Sequence, residues 1–82
     1  MARNKQQDKL FSPIKTSKLS DEVYNQIVSL ISSGKLKPGD KIPSERELAA
    51  DLGISRQSIR EALNRAEVMG LLEVRQGEGS FI

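Results

Sequence analysis

The chain of 82 residues, 37% hydrophobic and 4% aromatic, is long enough for one small domain with a modest core, but not for a deep enclosed active site. It contains no Cys and no His, which excludes disulfides, thiolate or imidazole metal sites, and Cys or His nucleophiles; no cofactor, no metal and no catalytic residues are expected. The net charge of +2 does not by itself indicate a nucleic-acid partner: residues 1–18 hold five basic residues against one acidic and net +4, which leaves −2 on the rest.

Residues 1–18 are polar, lack periodicity and contain Pro13, so they are predicted to form a flexible basic arm preceding a folded unit at 19–82. Leu10, Phe11 and Ile14 are its apolar residues, available to dock on a neighbour. From Leu19 to Ser33, Val23, Ile27, Leu30 and Ile31 share one stripe of an amphipathic helix, with Ser20 as the predicted N-cap and Gly34 as its stop. Lys35–Pro43 holds a Pro-Gly turn signal and reads as a connector with a very short strand near Lys41 and Ile42.

Ser44-Glu45-Arg46-Glu47 has the form of a capping box and opens a short helix whose apolar face is Leu48, Ala49 and Leu52. Ser55 caps the next helix, predicted to run to Met69 before Gly70, with Ile59, Ala62, Leu63, Ala66 and Met69 buried. Leu71–Arg75 and Gly79–Ile82 are two strand-like segments around a Gly-rich tip. The predicted fold is α+β, mostly α: three helices plus a small β-hairpin, a winged helix-turn-helix. No segment approaches the roughly 18 apolar residues of a membrane span, and the N-terminus lacks an apolar signal region, so a cytoplasmic protein is expected.

The spacing of Ala49, Gly53 and Ile59 is that of a helix-turn-helix. Ala49 allows close approach, Gly53 takes positive φ, and Ile59 fills the wedge between helices together with Ile54. The second helix then opens Ser55-Arg56-Gln57-Ser58-Ile59-Arg60, without an acid. Arg offers paired donors to guanine, Gln can pair with adenine, and Ser can bond phosphate or base edges. Arg56, Gln57, Arg60 and Asn64 fall in one sector beside the buried stripe and can face one partner together; the alternative is a solvated helix face on which Arg60 or Arg65 pairs with neighbouring acids. Arg46 is either a phosphate contact or a surface partner of Glu45, Glu47 or Asp51. The tip with Arg75, Gln76 and Gly77 either lies along a groove or is a plain edge hairpin, a choice that Glu78 biases toward the latter.

Lys37-Pro38-Gly39-Asp40-Lys41-Ile42-Pro43-Ser44-Glu45-Arg46-Glu47-Leu48-Ala49 resembles the hallmark stretch of the GntR family of bacterial regulators. Ile54–Leu63 resembles its recognition helix and Gly70–Ile82 its wing, while the Leu19–Val23 entry and the Arg-Gln-Gly-x-Gly wing are most similar to the FadR-like branch. The resemblance implies a DNA-binding transcription regulator, a repressor by expectation. It would bind a palindromic double-stranded operator as a homodimer, and as an isolated domain it would be weak or monomeric. It also implies roles for Arg46 on phosphate or base, Arg56 and Arg60 on guanines, Ser55, Gln57 and Ser58 in the major groove, and Gln76 and Gly77 at the minor groove. Family members continue into a larger domain that binds a metabolite, so the regulatory half is expected beyond Ile82. Two rival classes remain: a winged helix that docks protein, for which Val68 is the clear apolar candidate, and, remotely, a small enzyme.

Overall fold

The computed structural model describes residues 18–82; the expected arm, apart from Lys18, lies outside the described residues. Helix α1 spans Lys18–Ser32. It begins before the predicted cap: Ser20 is a buried side chain of its first turn, because positions 20, 23 and 27 share the stripe that carries Val23 and Ile27 into the core. Past the helix, Lys37–Asp40 folds as a type II turn, with Pro38 second and Gly39 third at φ +93°. The Asp40 N–H donates to the Lys37 carbonyl (2.9 Å), and the Lys37 N–H donates to the Asp40 carboxylate (2.8 Å). Strand β1, Lys41–Ile42, follows and sends Ile42 into the core.

Helix α2, Glu45–Leu52, opens on the predicted capping box. The Glu47 N–H donates to Ser44 Oγ (3.1 Å) and the Ser44 N–H donates to Glu47 Oε1 (3.0 Å). Because both orphan donors are satisfied by one pair of side chains, Ser44→Ala is expected to cost about 0.5–2 kcal/mol, read as a lowered urea midpoint at unchanged slope. The helix stops at Gly53, whose φ of +69° lies in the left-handed region and whose N–H donates to the Ala49 carbonyl. No neighbouring atom would meet a Cβ there, so the requirement for glycine is conformational.

Helix α3, Arg56–Val68, packs against both α1 and α2. Ile59, Ala62, Leu63 and Ala66 are buried along it, and Ile59 is 0% exposed. Met69, expected on that stripe, is 61% exposed. The helix ends at Val68, and the reversal at Gly70 (φ +78°) brings Leu72 into the core instead.

Strands β2, Glu73–Arg75, and β3, Gly79–Phe81, form the antiparallel hairpin, with Arg75 opposite Gly79. β1 is not isolated: it pairs antiparallel with β3, Lys41 opposite Phe81, so the sheet has three strands in the order β1-β3-β2. The Ile82 N–H donates to the Asp40 carbonyl, and the Gly39 N–H donates to the Ile82 carbonyl, extending this seam by two bonds. No described helix is long and apolar enough to cross a membrane.

Candidate nucleic-acid interface

The N-terminus of α3 is built by Ser55, which accepts from the Ser58 N–H (3.2 Å), and its first turn carries no acid. The positive end of the helix is therefore uncompensated by any carboxylate of that turn. Arg56 and Gln57 are exposed on it. Ser58, expected at the surface, is buried; the Ser55 hydroxyl donates to its oxygen at 3.2 Å, so both serines serve the cap. Their hydroxyls are consumed locally because Ser58 falls next to Ile59 on the inward side of the helix.

Arg60 makes a two-pronged ion pair across the turn. Its Nε donates to one Glu45 oxygen (3.2 Å) and its Nη2 to the other (3.0 Å). This contact, fifteen residues apart in sequence, fastens the start of α2 to the exposed side of α3. The hydrogen bonds from Arg60 hold the Glu45 carboxyl below the ordinary carboxylate range, the charges of Arg60 and Arg56 add to this, and partial burial opposes it. Glu45 raises the Arg60 pKa in return. Since the folded carboxyl titrates below the unfolded one, the contribution of this pair is complete above the unfolded value and is lost as pH falls through the folded one. Thermal melts over roughly pH 5 to 2 are therefore expected to show a shallower fall in Tm for Glu45→Gln than for the parent chain. Parallel curves would remove the pair from the acid response.

Arg46 and Arg56 make no ion pair among the described residues. Of the two alternatives for Arg46, the surface pair is not formed; Glu45 is taken by Arg60, and Glu47 is turned back into the capping box. Gln57 donates to Glu61 at 3.4 Å along the helix face. Arg65, by contrast, is occupied at the back of α3: it pairs with Asp21 (3.0 Å) and lies 4.0 Å over the Tyr24 ring.

The wing tip is a β-turn from Arg75 to Glu78, closed by the Glu78 N–H to the Arg75 carbonyl (2.9 Å), with Gly77 third at φ +78°. Gln76 and Gly77 are exposed there. Arg75 is drawn back from the tip, paired with Glu73 (3.4 Å) and stacked 4.3 Å over Phe81. Gly79 is required by its φ of +120°; a Cβ there would meet only the flexible end of Lys41, at Cε (2.8 Å), which can move aside. Between the wing and the helices runs a groove of about 630 Å³ that touches Glu45 of α2, Asn64 of α3 and Glu78 of the tip, so the three elements form one continuous surface. Val68 is 84% exposed, but lies at the far end of α3 from Ser55.

A capped helix-turn-helix followed by a hairpin joined to β1 defines this chain as a winged helix-turn-helix domain. The chain belongs to the GntR family: the family model "Bacterial regulatory proteins, gntR family" matches residues 19–82. It is 46% identical over 66 residues to the HTH-type transcriptional regulator Mce2R of Mycobacterium tuberculosis, covering 80% of this chain and 28% of the relative. It is 48% identical over 65 residues to the putative L-lactate dehydrogenase operon regulatory protein of Escherichia coli, covering 79% and 25%. The chain thus spans about a quarter of the length of the curated relatives it matches. Among solved structures it is similar to AraR(DBD) in complex with operator ORX1 (TM-score 0.76, 36% identity, 88% of this chain and 89% of that one). It is also similar to YtrA from Sulfolobus acidocaldarius, a GntR-family transcription factor (TM-score 0.76, 34% identity, 83% and 71%). The family is one of regulatory proteins, not enzymes, and the described residues hold no group of three or more His, Cys, Asp or Glu able to bind a metal.

Proposed function

We propose that this chain is the operator-reading part of a DNA-binding transcription regulator. The observation that carries the reading is the exposed start of α3, where Arg56, Gln57 and Arg60 surround a helix N-terminus without an acid and Arg46 stands unpaired on the neighbouring helix. Helix 56–68 enters the major groove by this end, Arg56 and Arg60 donate to guanine edges, Gln57 reaches a base or phosphate, and Arg46 takes a phosphate. Ser55 contributes as the cap that directs backbone N–H groups outward, with Ser58 supporting it. The tip at Gln76 and Gly77 follows the adjacent minor groove. The similarity to a domain solved on its operator supports a double-stranded DNA partner.

In the whole protein, two copies bind a palindromic operator in the cytoplasm, under control of a metabolite held by a further domain. The similarity to a lactate operon regulator is in keeping with the FadR-like branch. Selection from a random duplex pool, with the chain fused to a dimeriser, is expected to enrich an inverted repeat whose binding weakens steeply with salt. No enriched motif, or binding indifferent to salt, overturns the reading.

A further inference from the structure

The clasp between Glu45 and Arg60 is better formed than its contribution to stability requires. The Arg60 side chain is 50% exposed and that of Glu45 30%, and an ion pair so open to solvent adds little to folding. Yet the two groups meet edge to edge. A guanidinium carries five N–H donors in a rigid plane, and they form two parallel donor edges, one through Nε and Nη2 and one through Nη1 and Nη2. Glu45 takes the first, from Nε at 3.2 Å and from Nη2 at 3.0 Å. The second, made by Nη1 and the remaining hydrogen of Nη2, has no partner among the described residues.

That second edge is one that can span O6 and N7 of a guanine. An arginine gives up rotamer freedom when it binds. Arg60, tied by its other edge to the first residue of α2, has given up part of that freedom before any DNA arrives. Its charge is offset as well. A phosphate, attracted mainly by positive charge, gains little from a guanidinium already facing a carboxylate, whereas a guanine, which needs two donors side by side, still finds them. Arg56 is the contrast: one turn earlier on α3, exposed and without an ion pair among the described residues, it acts on Glu45 by its charge alone.

We propose, on the reading that α3 enters the major groove, that Glu45 is a positioning residue for base selection. It holds the Arg60 guanidinium by one edge so that the other meets a guanine, and by offsetting the Arg60 charge it withholds that side chain from phosphates of any sequence. Arg60 is thus shared between Glu45 and the base, and Glu45 itself touches no base. The pair raises sequence discrimination while lowering attraction to DNA in general.

Glu45→Gln keeps the size of the side chain and removes its charge and one of its two acceptors. The parent chain, Glu45→Gln, Arg60→Ala and the double variant, all fused to the same dimeriser, are titrated over a range of salt. The duplexes are the selected operator, its single-base variants and an unrelated sequence. The parent is expected to prefer one G·C pair about 5- to 150-fold, at the position where Arg60→Ala loses its preference. Glu45→Gln is expected to lose most of that preference and yet to bind the unrelated duplex more tightly than the parent, with a salt slope steeper by about 0.9, one further phosphate contact. In the Arg60→Ala background the same substitution should alter preference at no position. A Glu45→Gln variant that weakens every duplex by one common factor has lost only a structural pair, and overturns the proposal. So does a preference that Glu45→Gln changes even without Arg60, which would put the carboxylate on a base, and so does an Arg60→Ala variant that discriminates as the parent does. A parent that binds all duplexes alike overturns the operator reading itself, and this assignment with it.

Discussion

Arg56→Ala is expected to lower affinity for the selected operator about 5- to 150-fold and to erase preference at one base pair in each half-site. The magnitude follows from what the side chain does in the free protein. Arg56 has no ion pair to give up, although its charge acts on the Glu45 carboxylate that Arg60 holds, so its donors reach a base without first breaking a hydrogen bond. Arg60 differs. It must leave, or share, two hydrogen bonds to Glu45 before it can face DNA, so Arg60→Ala is expected to cost less affinity than Arg56→Ala while also loosening the α2–α3 junction. Titration of both variants against the operator and against single-base substitutions separates the effects. A loss from Arg56→Ala that is equal for every sequence would reassign Arg56 to the phosphates.

Ile59→Ala is expected to be the most disruptive single change to the fold, at about 2–5 kcal/mol. Ile59 is the one large side chain fully enclosed among the described residues. It belongs to the core cluster that α3 shares with Val23 and Ile27 of α1, and a close-packed interior relaxes only partly into the void a truncation leaves. A single core of this size supplies a net stability of only about 3–5 kcal/mol, so partial unfolding at ambient temperature should follow. Circular dichroism and a urea titration measure it; Ile59→Val, at about 0.5–1.5 kcal/mol, is the graded control. Near-equal midpoints for the Ala and Val variants would show that the helices close over the gap.

The features legible in the sequence are those written within a few residues. The Ser44–Glu47 box, the Ser55 cap and the left-handed stops at Gly53 and Gly70 each depend on side-chain reach or backbone sterics over one turn, and each appears where its residues stand. Ser20 and Met69 depart from their expected places because local chemistry competes there with packing: a serine suited to capping lies on the inward stripe of α1, and an apolar residue lies one turn past the point where α3 leaves the core. The same competition hides Ser58, polar by type and interior by position. Of the candidate interface, the cluster at Arg56, Gln57 and Arg60 followed from helical spacing. An ion pair at Arg60 was among the alternatives the sequence offered, but Glu45 as its partner was not legible, because the two are brought together by the crossing of two helices, an angle that no local pattern encodes. The retreat of Arg75 onto Phe81 and the union of β1 with the hairpin depend in the same way on the pairing of distant strands.

That union also sets how mechanical load passes through the domain. Ile82 is held by hydrogen bonds in both directions to the turn that precedes β1, so tension applied at residue 82 reaches Gly39 and Asp40 directly, without first travelling round the hairpin. From there only Lys41–Pro43 intervene before the cap of α2. A pull on the end of the wing is therefore a pull on the root of the helix-turn-helix, and the tip, joined to that path only through β2 and β3, is left slack.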